Sequence, residues 1–179
     1  MKKTWGKSVF VGITILAVCA MLLALQPAPA KIRVGTFDSR AVGVAYARSA
    51  TFAPILKSWK DKYEKAKAEK NEAVIKECEA WGPNYHKLQM LQAFSIASVA
   101  DILEKVKDQL PKAAKEAGVD ILVSKWELAY QNPSFEIVDV TSYLVKIFNP
   151  DDQTLKIIEE LSKQSPIPLF EALQIKEEE

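Results

Sequence analysis

The residues that could do chemistry are few. His86 is the single histidine, so no site needing two imidazoles can be built within one chain. Nothing in its sequence neighbourhood supplies a nucleophile or a partner for a general base, so it reads as an ordinary polar residue. Cys19 falls in the N-terminal segment, which leaves Cys78 as the one cysteine beyond it and excludes an intrachain disulfide in the rest of the chain. Cys78 reads either as a small buried residue or as an intermolecular disulfide former in an oxidising compartment. Asp38, Asp120 and Asp139 stand near strand ends, where turn and capping roles account for them better than a catalytic acid pair. Only four glycines follow residue 30 and none are clustered, so no phosphate-cradling loop is present. No catalytic, cofactor-binding or metal-binding set is expected, and the chain reads as a non-enzyme.

Binding chemistry is better represented. Trp81 and Tyr85 flank Gly82-Pro83-Asn84, where they either form an apolar grip at an exposed turn or staple two helices together. Met90, Leu91, Phe94 and Ile96 fall off the helical seam that follows and are candidates for an exposed apolar patch. Together these six residues are the candidate contacts for a polypeptide partner. Residues 55–117 hold 12 lysines and 10 acids, a mixed-charge surface that i,i+4 pairs such as Asp61–Lys65 and Lys60–Glu64 would keep soluble.

Those residues need elements to position them. Residues 1–30 carry Lys2, Lys3 and Lys7, an uncharged run from Val9 to Leu25, and a closing Ala28-Pro29-Ala30, the pattern of an export signal cleaved before Lys31. An uncleaved anchor is the alternative, and it would be the chain's only membrane contact. The whole chain has 24 basic and 23 acidic residues, net +1. Three of the basic residues and none of the acids lie in that signal, so the remainder counts 21 against 23, about −2. A nucleic-acid partner is therefore not expected.

Beyond the signal, residues 31–38 alternate as a short strand and residues 39–51 read as a helix. Phe52, Leu56, Trp59, Tyr63 and Ala66 recur at heptad spacing, with Pro54 tolerated in the first turn. Gly82-Pro83 predicts the end of this helix, and a second is expected from about Tyr85 to Ala117 on the seam Val99, Leu103, Val106, Leu110, Ala113 and Ala117, kinked at Pro111. Gly118 ends it, and strands follow over 119–123, near Leu128 and Tyr130, and over 135–138. Asp139-Val140-Thr141 caps a short helix, and Asn149-Pro150 opens a last one that ends near Lys163 in a tail. The expected fold is α+β. A small β-body (31–51 and 118–148) carries a long antiparallel helical hairpin arm (52–117), followed by a C-terminal helix and tail (149–179). A body of some 60 residues is marginal on its own and would gain from oligomerisation through Ile32, Val34, Phe37, Ile121, Val123, Leu128 and Tyr130.

This order of elements resembles the Skp/OmpH-like family of periplasmic chaperones. The match lies in Ile32-Arg33-Val34-Gly35-Thr36-Phe37-Asp38 after a signal, in Gly118-Val119-Asp120-Ile121-Leu122-Val123, in Leu128-Ala129-Tyr130, and in Asp139-Val140-Thr141 followed by Leu144. The resemblance implies a periplasmic homotrimer whose helical arms enclose a cavity and hold unfolded outer-membrane or envelope proteins without ATP or any other cofactor. Residues 149–179 extend past the family body. The alternative is a membrane-tethered coiled-coil scaffold or adaptor of the envelope.

Overall fold

The computed structural model describes residues 32–175, so residues 1–31, with the expected export signal, and the last four residues lie outside the description. Strand β1 (Val34–Phe37) leads into helix α1 (Ser39–Ala47), and α2 (Ala53–Ala68) and α3 (Glu72–Phe94) follow. Next come α4 (Ala100–Lys105), a 3-10 turn over Lys107–Gln109, α5 (Leu110–Ala117), β2 (Ile121–Ser124) and β3 (Ile137–Asp139). Helices α6 (Thr141–Lys146), α7 (Asp152–Ser162) and α8 (Leu169–Gln174) complete the order. The class is mixed helix and strand, as expected.

The sheet has the order β2-β1-β3, and both outer strands run parallel to β1, with Gly35 opposite Leu122 and Val138. Alternation along strands sends Gly35, Phe37, Leu122 and Val138 to one face. Gly35 is required there, because a Cβ would stand 2.9 Å from the side chains of both Val119 and Val140. On that face Phe37, Val42, Tyr46, Ile102, Val140, Leu144 and Phe148 form the core. Leu128 and Tyr130, expected in a strand, lie instead in the irregular segment that carries the chain from β2 past β1 to β3.

The helical region departs from expectation in two places. The reversal expected at 81–84 lies at 69–71. There Lys70 takes the left-handed conformation (φ 52°), the Asn71 amide bonds the Ala66 carbonyl at 2.9 Å, and the Lys70 amide bonds that of Lys67 at 3.2 Å. Two such bonds terminate a helix without glycine. The Asn71 side chain then accepts from the Val74 amide and opens α3. Helix α3 runs straight through Gly82 and Pro83, so proline forfeits one backbone bond without ending the helix. Trp81 and Tyr85 on either side of it pack on α2, which holds the helix together there.

The second departure is at 95–99. The long helix expected to reach Ala117 stops at Phe94, and Ser95 turns extended. Gln92, 2% exposed, fixes the break by donating to the Ser98 carbonyl (3.0 Å) and the Asp101 carboxylate (2.7 Å). Pro111 then sits in the first turn of α5 rather than kinking a longer helix. The seam residues Val99, Val106 and Ala113 are buried, but within the body core, with Leu103, Leu110 and Ala117 packed beside them. Residues 99–117 therefore build the body, and only α2 and α3 make the helical pair. Helix α7, expected as the last, opens later than Asn149-Pro150 predicts, with Asp151 as its N-cap accepting from the Thr154 amide at 2.7 Å, and α8 follows it where a tail was expected.

Candidate functional site

Helices α2 and α3 meet through their aromatic residues. Phe52 stacks on Tyr85 (5.3 Å between centroids, 4° between planes), Tyr85 on Trp81 (5.0 Å) and Trp81 on Trp59 (4.7 Å). Tyr46 on α1 meets Phe52 and Phe148 edge-on at 5.8 and 5.9 Å, so one series of rings runs from the core out along the helical pair. Lys62 places its ammonium 4.6 Å from the Trp59 ring centre while bonding Glu77 at 2.6 Å. By these contacts both Trp81 and Tyr85 staple the helices. Yet they do so in mid-helix rather than at a turn.

The stapling leaves a surface open. Leu56, Trp59, Lys60, Tyr63, Cys78, Glu79 and Trp81 line a groove of about 380 Å³, and Leu56 is 53% exposed. Leu56, Trp59 and Tyr63 fall at i, i+3 and i+7, one helical face. The heptad spacing of Phe52, Trp59 and Tyr63 by itself reads as core between the helices, and Phe52 does stack on Tyr85 of α3, but Trp59 and Tyr63 differ. They are instead half-buried walls of an open groove, because Ala66 is the one seam residue of α2 that is fully buried. Of the other candidates, Met90 and Leu91 are half-buried near the end of α3, while Phe94 and Ile96 stay exposed. His86 lies exposed on α3, and no group of three His, Cys, Asp or Glu residues suited to a metal occurs among the described residues.

The other apolar surface is the second face of the sheet. Ile32 and Ile121 are exposed, Val34, Val123 and Ile137 are half-buried, and none of the five belongs to a packed cluster among the described residues. Tyr130 and Phe135 in the irregular segment beside it are exposed as well. Phe37, grouped with these residues in the sequence reading, is a correction. It points to the opposite face and is 3% exposed in the chain's own core, so it cannot meet another subunit.

Sequence reasoning missed a third feature, at the carboxyl ends of β1 and β2. Asp38 is the N-cap of α1, and its carboxylate accepts from the Arg40 amide (3.0 Å), Arg40 Nε (3.1 Å), Arg40 Nη2 (2.8 Å) and Trp126 Nε1 (3.2 Å). Lys125 Nζ stands 2.8 Å away. Both cations lie over the Trp126 ring. Burial alone raises the pKa of Asp38, but hydrogen bonds and charge from Arg40 and Lys125 outweigh it and hold the carboxyl at about 2. So many donors leave the carboxylate no free lone pair for catalysis, and the cluster serves the structure. A strand ending in Asp-x-Arg is the only signal that could have marked it.

Searches against protein-family models, curated proteins and solved structures find no match. The fold and its surfaces define a mixed helix-and-strand protein whose candidate sites are apolar binding surfaces. Among the described residues no helix is long and apolar enough to cross a membrane.

Proposed function

We propose that the mature chain is an ATP-independent holdase of the periplasm that binds unfolded outer-membrane or envelope proteins. The observation that carries this reading is the solvent-open aromatic groove on α2 and α3, which offers apolar contact to an unfolded chain without enclosing it. Contacts of this kind are individually weak, so a client would be held against aggregation and released without an energy source. In this reading α2 and α3 are the antiparallel helical hairpin of each subunit. Three subunits join through the open sheet face formed by Ile32, Val34, Ile121, Val123 and Ile137, placing three grooves around one client. The resemblance of the strand and Asp139-Val140-Thr141 segments to the Skp/OmpH-like family supports the same arrangement.

The test uses protein beginning at Lys31 and a urea-unfolded β-barrel client diluted into buffer. Light scattering should fall in its presence, and the solution mass should equal three chains. Trp59→Ala combined with Leu56→Ala should leave the mass unchanged and weaken protection. A monomer that gives no protection would overturn the proposal.

A further inference from the structure

We propose that residues 165–175 are a releasable latch that fixes the end of α3, with the exposed Phe94 and Ile96, to the body. Sequence reading treats Ser165-Pro166-Ile167-Pro168 as tail, yet this segment is addressed to one atom. Prolines 166 and 168 have no amide proton and hold φ near −65°, so Ile167 is left as the one donor of the Pro-Ile-Pro run. Its amide bonds the carbonyl of Phe94, the last residue of α3, at 2.9 Å. Pro168 then opens α8, which lies against α3.

The segment on either side differs in how firmly it is held. Helix α7 is anchored: Thr154 and Leu161 are buried, Arg48 Nε bonds Thr154 Oγ1 at 2.9 Å, and Leu161 packs with Val44 and Ala93. The anchorage continues to Gln164, whose carbonyl accepts from Arg40 Nη1 at 3.0 Å. Past that point attachment is slight. Helix α8 buries only Ala172, while Leu169, Phe170 and Leu173 are 43%, 73% and 43% exposed. A short helix with one buried alanine, tethered through half-buried Pro166 and Ile167 and one backbone bond, opens more readily than the body it sits on. Its target is a junction, because α3 is also gripped two residues before Phe94, where Gly43 lets α1 approach the Gln92 carbonyl. Release would loosen Leu91 to Ile96 and leave the rest of the chain in place.

The functional consequence rests on Phe94 and Ile96 being client contacts, but the measurement does not. Amide exchange is followed by mass spectrometry in the mature chain, in Ile167→Pro, in Ile167→Ala and in a chain ended after Gln164. Ile167→Pro and the shortened chain should exchange about five- to tenfold faster over residues 88–97, with residues 34–37 and 121–124 unchanged. Ile167→Ala keeps the donor and should retain slow exchange. Unchanged exchange at 88–97 in both altered chains would overturn the latch, and so would equal acceleration of the strands. If Ile167→Pro fails to fold, the shortened chain, which keeps Gln164 and α7, decides alone.

Discussion

Asp38 and Arg40 are 3% and 1% exposed, and each is the other's main compensation for leaving water. Replacing Asp38 with Asn strands the guanidinium, and urea denaturation should show a loss of about 3–5 kcal/mol. An Asp38→Leu, Arg40→Met pair removes both charges and should be less destabilised than the single variant in the same assay. The pH dependence follows from the direction of the shift. The folded carboxyl sits at about 2, below its ordinary 3.8, so the unfolded chain takes up the proton first. The stabilisation is complete above about pH 4 and disappears as pH falls toward 2, which a series of urea midpoints across that window should record. In Asp38→Asn this part of the acid sensitivity should be gone. At this scale the sequence was partly legible: Asp38 was read as a capping group and is one. Its partners were hidden, because Lys125 and Trp126 are 87 and 88 residues away and meet it only through the pairing of β2 with β1.

At the scale of elements, Gly82 separates the predicted turn from the observed helix. Beyond its chain neighbours, a Cβ at Gly82 would meet nothing within 4 Å. The helix-forming gain of alanine, about 0.5–1 kcal/mol, is offset by crowding of the new Cβ against Pro83, so Gly82→Ala should leave the melting temperature close to that of the parent chain. Were Gly82 a left-handed cap, the same change would lower it. Lys70 is the true reversal, and its positive φ is strained for a side chain. Lys70→Gly should gain about 1 kcal/mol by the same measurement. Gly-Pro is the stronger local signal, and Glu69-Lys70-Asn71-Glu72 offers only an N-cap asparagine with an acid after it. Packing of Trp81 on Trp59 and of Tyr85 on Phe52 decided between them, since a helix ending at Trp81 would forgo the second of these stacks. The seam from Val99 to Ala117 shows the same limit: its period states that one face is buried, not which partner buries it.

For the whole molecule, the unpaired apolar sheet face is the feature with consequences beyond one chain. If copies associate through it, the melting temperature should rise with protein concentration. Val34→Lys with Ile121→Lys should abolish that dependence and yield monomers by light scattering while circular dichroism stays unchanged. If residues 1–30 are a cleaved export signal, mass spectrometry of the protein made in cells should find Lys31 as its first residue; an intact Met1 terminus would favour the tethered scaffold instead. The sequence by itself determined the mixed class, the strand at Val34–Phe37, the helix end at Gly118 and the amphipathic faces. Those follow from composition and local periodicity, which act over a few residues. Only the tertiary structure decided that both outer strands run parallel to β1 and that the long seam closes the body. It alone also set the reversal at Lys70 and the Pro-Ile-Pro segment against α3. Each of those depends on groups far apart in the chain, and the burial that selects among local alternatives exists only once they meet.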